Sequence, residues 1–236
     1  MRRQILITPG TLIAHLGGRP PTVTLVLLVE QIGLLVLWAF ANGPAWVALH
    51  VAASAEGTFG RHEIWQPFTA LWVHLGTRGL IMDALTLWMF GSALERWWGA
   101  RRFLLFWTLT GTLGLVVGVT VGLIQPQVAL SGSSGAAMGM MVAFAFLFPN
   151  HMVFFYGVLP LKAKHFALLL VAFVVVGSLL GQSWLELSVE LGGGVAALLF
   201  VLRGRSKRQR AGSREGSRPR LQVIEGGKRE DKRYLN

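Results

Sequence analysis

Two serines between glycines, Gly132-Ser133-Ser134-Gly135, open a strongly apolar run within ALSGSSGAAMGMM at 129–141. A serine hydroxyl becomes a nucleophile when a neighbouring base takes its proton. The same small residues also let two helices approach closely, so their role depends on what faces them. The segment WLELSVELGGGVAALLFVLR, 184–203, offers a partner: Glu190, Gly193, Gly194 and Ala197 fall at i, i+3, i+4 and i+7 and share one helical face. Gly132, Gly135, Ala136 and Gly139 form a matching small-residue stripe. If the two stripes pack together, Glu190 comes to the start of the earlier helix, with Ser134 as its expected neighbour.

The elements that must position these residues are membrane helices. The chain has 236 residues, of which 53% are hydrophobic and 14% charged, with a mean hydropathy of +0.54. That balance lies outside the range of a soluble domain and points to an all-α, polytopic membrane protein. With no cysteine, a disulfide framework and thiolate metal sites are excluded. Six runs, near 22–41, 79–98, 102–124, 132–149, 163–181 and 184–203, are long enough to cross ~30 Å of hydrocarbon as helices. Asn42-Gly43-Pro44, Gly99, Pro126, Pro149-Asn150 and Gly181 punctuate the joins. The expected organisation is a cytoplasmic segment 1–21, a single membrane domain 22–203 and a tail 204–236. The broken run PGTLIAHLGGRPP near the start is too short for a cleavable signal, so the first span is expected to be retained.

Charge sets the orientation. Arg2, Arg3 and Arg19, then Arg96, Arg101 and Arg102, then Lys162 and Lys164, and finally the tail, all fall on one side of a six-span arrangement. The other side holds Arg61 and Arg78 against Glu56 and Glu63. By the positive-inside rule both termini are expected in the cytoplasm. Of the formal charge of +11, residues 203–236 carry 12 Lys or Arg against 4 Asp or Glu. This polar, basic tail reads as disordered and suited to anionic lipid headgroups. It lacks the aromatic support expected of a nucleic-acid binder.

The loop 42–78 differs from the others. Trp46, Phe59, Trp65, Phe68 and Trp72 accompany Pro44 and Pro67, and Trp favours the headgroup level of a membrane. The loop is therefore either an aromatic anchor or a lateral gate. Glu30, Asp83, Glu186 and Glu190 lie in or near the spans, where ionisable groups face a bundle interior or water. Asp83 and Glu190 read equally as a polar cavity or as a hydrogen-bonded structural pair. His15, His151 and His165 fall on the cytoplasmic side, and His50 and His62 lack metal-ligand spacing, which leaves His74 as the histidine on the side of Ser134. No metal cluster, phosphate loop or cofactor motif is present in the sequence.

Together the motifs resemble the rhomboid family of intramembrane serine proteases. The resemblance covers roughly 20–203. It rests on Gly132-Ser133-Ser134-Gly135, WQPFTALWVH at 65–74, LWMFGSALERWWGARRF at 87–103 and FYGVLPLKAK at 155–164, with the final RYLN similar to the end of some bacterial members. It implies a six-helix fold in a bacterial inner membrane, with Ser134 at the nucleophile position. It also implies a base histidine at the position of Glu190, oxyanion-binding His and Asn at the positions of Gly79 and Asp83, and a gate involving Trp65, Gln66 and His74. Gln66 stands where the family carries arginine.

These departures remove both the base and the oxyanion donors. A carboxylate serves as a base only while ionised, a form that the membrane interior disfavours. Ionised Asp83 would repel an oxyanion, and Gly79 offers no side-chain donor. The expectation is a pseudoprotease without cofactor or metal, in which Gly132, Gly135, Gly139, Gly193 and Ala197 serve close packing. Its partners would be transmembrane client proteins and the bilayer. An active protease pairing Ser134 with Glu190 is the alternative. The sequence is silent on oligomeric state.

Overall fold

The computed structural model describes residues 21–41, 45–150, 152–155, 159–181 and 184–215. The protein divides into two compact units, Met1–Val201 and Leu202–Asn236, and every residue of the candidate site belongs to the first.

Most of the described residues of that first unit are helical. Helix α1 spans Thr22–Ala41. A loop of short helical turns follows, containing α2 (Ala45–His50), a π turn (Glu56–Gly60), α3 (Gln66–Thr69) and a 3-10 turn (Ala70–Trp72). Next come α4 (Thr77–Thr86), a π segment (Leu87–Gly91) and α5 (Ser92–Trp98), contiguous along the chain. Helices α6 (Ala100–Val121), α7 (Ser134–Leu147), α8 (Ala163–Gly181) and α9 (Trp184–Glu215) complete the order.

Two observed boundaries correct the sequence expectations, and a strand pair adds to them. Helix α7 has only 14 residues, about 21 Å at the α-helical rise, where the apolar run had suggested 132–149. Helix α9 continues to Glu215, so the start of the tail is helical instead of disordered. Its Arg, Lys, Gln and Ala residues are good helix formers once a long helix precedes them. Residues 216–236 lie outside the described residues. Among the described residues two four-residue strands, β1 (Met152–Phe155) and β2 (Leu159–Lys162), pair antiparallel between α7 and α8, a small addition to the all-α expectation.

Among the described residues two stretches, Ala100–Ile124 and Trp184–Gly204, are long and apolar enough to cross a membrane, and Thr22–Leu34 and Ser134–Leu147 are shorter apolar helices. Helix α6 lies at the centre, burying Phe103, Phe106, Trp107 and Leu115 completely.

Two local features tie α1 and α5 to this centre. Gly99 adopts φ +81°, a conformation L side chains rarely take, and so ends α5 and starts α6 within one residue. Buried Glu95 caps the start of α1: its Oε1 accepts Val23 N–H at 2.9 Å, and its Oε2 accepts Thr24 N–H and Thr24 Oγ1, each at 2.8 Å. The first turn of a helix has no internal partners for its N–H groups and carries a partial positive charge, so a carboxylate there is well satisfied.

Candidate functional site

The segment leading into α7 is not helical, and its backbone is satisfied by the loop that precedes α4. Leu130 and Ala53 exchange N–H···O bonds of 2.8 and 2.7 Å, and Gly132 N–H donates to Ala70 O at 2.9 Å. Ser131 Oγ accepts Leu75 N–H at 2.9 Å. Irregular backbone within a membrane protein persists where the protein itself supplies such partners. Gly132 has φ +93°, and a Cβ there would meet His74 Cδ2 at 2.9 Å. Both the backbone conformation and the neighbouring ring therefore demand glycine.

These constraints present Ser133 to Asp83. Ser133 N–H and Ser133 Oγ donate to the same atom, Asp83 Oδ2, at 2.8 and 2.9 Å. His74 Nε2 lies 3.1 Å from that oxygen, and Gln31 Nε2 donates to Ser133 Oγ at 3.2 Å. All four side chains are buried, with exposures of 5% or less. Donors converging on one oxygen suit an acceptor-only carboxylate. The acid is the middle member of this chain: Asp83, not the imidazole, bonds to the serine. In a hydrolytic triad the histidine takes that middle place, because it must receive the serine proton.

Ser134, one residue further on, is partly exposed. Among the described residues no hydrogen bond joins its hydroxyl to Glu190 or to a backbone carbonyl, contrary to the sequence expectation. Glu190 Oε2 is buried without a hydrogen-bond partner. Asp83 pairs with Ser133 and His74, so the direct Asp83–Glu190 pair entertained from sequence is not formed. The two carboxyl groups nevertheless lie within electrostatic reach of each other, as does Glu186 of Glu190. Gly79 is exposed, and a Cβ there would meet nothing within 4 Å.

The glycines form a junction of three helices. A Cβ on Gly114 of α6 would lie 2.6 Å from Val189 O of α9 and 3.2 Å from Gly135 Cα of α7. A Cβ on Gly193 would run into the backbone of Gly135, and one on Gly139 would come within 3.3 Å of Ala197 Cβ. Ala197 is fully buried. Apolar helices in lipid associate chiefly through such close van der Waals packing. Gly132 stands apart from this junction, against His74 and Asp83.

In the loop between α1 and α4, Gln66 is fully buried and bonded on both sides of its amide. Its Nε2 donates to Leu49 O at 3.1 Å and to Glu63 Oε2 at 2.6 Å, while its Oε1 accepts Ser54 N–H at 3.1 Å. Gln66 thus organises the loop from within instead of presenting polar atoms to a ligand. Glu63 also accepts Arg61 Nη2 at 3.0 Å and lies 2.6 Å from His50 Nδ1. The His50 hydrogen bond, followed by the Arg61 interactions, holds the Glu63 carboxyl below its ordinary value of 4.5 despite desolvation. Trp65 is half exposed, and its indole Nε1–H donates to His50 O at 3.3 Å.

Ser133, Gln31 and Glu95 carry much of this structure and were not singled out from sequence. The doubled serine offered a faint signal for Ser133. Nothing local pairs Gln31 with a residue 102 positions away.

The described residues form a set of packed apolar helices in which α6 and α7 lie against each other and Ser134 opens α7. The rhomboid domain family model matches residues 61–206, well over half the sequence, and the chain belongs to the rhomboid family. It is therefore a member of an integral membrane protein family. It is 28% identical over 129 residues to the rhomboid protease GluP of Bacillus subtilis, covering 54% of this chain and 25% of that protein. It is 30% identical over 139 residues to the putative rhomboid protease YdcA of the same organism, covering 56% and 66%. The RHOMBOID-like protein 6, mitochondrial, of Arabidopsis thaliana is 32% identical over 82 residues, covering 35% and 26%. The matched region thus spans less than two thirds of each of these relatives.

Proposed function

We propose that this chain is a six-span rhomboid pseudoprotease that binds transmembrane segments of client proteins without cutting them. In this reading both termini face the cytoplasm of a bacterial cell, and the protein resides in the inner membrane. The spans are α1, the α4–α5 unit, and α6 to α9, with the basic end of α9 against anionic headgroups. Client segments enter beside Trp65 and reach the α7–α9 face.

The observation that carries the loss of chemistry is the Asp83–Ser133 contact. Attack by Ser134 would create an oxyanion, and preorganised donors must await it. Here the N–H of the adjoining residue already donates to a carboxylate at 2.8 Å. That carboxylate adds negative charge where negative charge would develop. Ser134, for its part, has no hydrogen-bonded base among the described residues.

The similarity to a rhomboid protease and a putative rhomboid protease favours a second reading, an active serine endopeptidase using Ser134 with Glu190 in place of histidine. The two separate in cells. A photo-crosslinking amino acid at Trp65 is expected to capture intact single-span membrane proteins. Shorter products that vanish in Ser134→Ala would establish the protease instead.

A further inference from the structure

The polar cluster around Ser133 is short of hydrogen-bond donors. Gln31 Oε1, His74 Nδ1 and Glu190 Oε2 are each buried and have no partner. Gln31 and His74 are 1% and 3% exposed, so water does not satisfy them from the surface. The amide oxygen of Gln31 is an acceptor only. In a neutral ring with Nε2–H directed to Asp83, Nδ1 of His74 is an acceptor too. A carboxylate oxygen completes the set. Buried polar atoms nearly always find partners, and three orphans of one kind in one cluster mark an absent complement.

The charges point the same way. Glu190 interacts with the like charges of Asp83 and Glu186, and Glu30 lies within reach of His74. Among the described residues no lysine or arginine acts on Glu190 or Glu30. Carboxyl groups inside a bundle are costly unless paired, and a low-dielectric surround focuses their field on any cation that approaches.

Resting on the client-binding reading above, we propose that this cluster receives the side chain of a basic residue, lysine or arginine, in a client's transmembrane helix. An ammonium or guanidinium brings several N–H donors and no acceptor, the inverse of the three orphaned atoms. It also supplies the counter-charge that Glu190 lacks. The basic residue is itself unstable in lipid until it finds such a partner, so the pairing selects clients by one side chain at one depth.

The test uses the full-length protein in lipid nanodiscs and two fluorescent synthetic single-span helices. One is all-leucine in its apolar core and the other has a single central lysine. Energy transfer to the labelled protein reads affinity. Expected is at least tenfold tighter binding of the lysine helix to the wild type, with the preference lost in Glu190→Gln, which preserves shape. Equal affinity of the two helices for the wild type overturns the inference while leaving client binding intact, and no binding by either overturns both. A lysine preference unchanged in Glu190→Gln also overturns it. So does a preference seen in phosphatidylglycerol discs and absent in phosphatidylethanolamine discs, which would make a lipid amine the occupant.

Discussion

Ser133 directs both its backbone N–H and its hydroxyl at one oxygen of Asp83, at 2.8 and 2.9 Å, from 50 positions further along the chain. The contact joins the head of α7 to the middle of α4 and draws in His74 and Gln31. Carboxylates are favoured near helix N-termini, where N–H groups lack internal partners. Asp83 therefore stabilises the same feature of α7 that an oxyanion would need, and it occupies part of it.

Asp83→Ala is expected to leave Ser133 N–H, Ser133 Oγ and His74 Nε2 buried and unpaired. Each such loss typically costs about 1–3 kcal/mol, and the losses are not additive, so an overall destabilisation of about 3 kcal/mol is expected. Reversible unfolding in mixed micelles measures it. A change below about 0.5 kcal/mol, the scale of an ordinary surface substitution, would show that the network does not hold α7 in place.

Glu95→Ala removes the cap from α1 and is expected to cost about 2 kcal/mol, the upper range for a lost N-cap. Glu95→Gln retains one acceptor oxygen and should cost less. Hydrogen exchange at Val23 and Thr24 is the sensitive readout, with faster exchange in both variants and the larger effect in Glu95→Ala.

Gly193→Ala places a methyl group in the backbone of Gly135. Overpacking of this kind typically costs about 1–3 kcal/mol. The expected consequences are a lower unfolding temperature and displacement of α9 from α7, visible as a longer spin-label distance between the two helices. Gly79→Ala serves as the contrast. It meets open space, and exchanging glycine for alanine in a helix should stabilise by about 0.5–1 kcal/mol.

The loop before α4 is expected to depend on acid. Because the Glu63 carboxyl is held below 4.5 by His50 and Arg61, its contribution is fully present above 4.5 and is lost as pH falls through its lower folded value. Limited proteolysis near residue 60 should therefore accelerate only below about pH 4.5. In Glu63→Gln the acid-dependent component attributable to this carboxyl should disappear. An unchanged acid profile in that variant would contradict the sign and the site.

Periodicity made part of this site legible. Glu190, Gly193 and Ala197 repeat at helical spacing, so their common face could be read from sequence, as could the stripe holding Gly135 and Gly139. The helical class followed from the apolar runs in the same way. The Asp83–Ser133 bond was not legible, because it links residues with no local pattern between them and depends on a left-handed Gly132 to turn Ser133 inward. The short α7 was obscured because the apolar run extends past the point where the backbone leaves the helix. The helical extension of α9 was hidden for the opposite reason: a basic composition lowers hydropathy without lowering helix propensity.

Labelling of the detergent-solubilised protein with a fluorophosphonate, comparing wild type, Ser134→Ala and Glu190→His, tests the loss of catalysis most directly. Such a probe reacts with a serine only when a base activates it and the resulting negative charge is held. Expected is no Ser134-dependent adduct in the wild type. Clear wild-type labelling that disappears in Ser134→Ala would contradict the pseudoprotease and establish Ser134 as a working nucleophile.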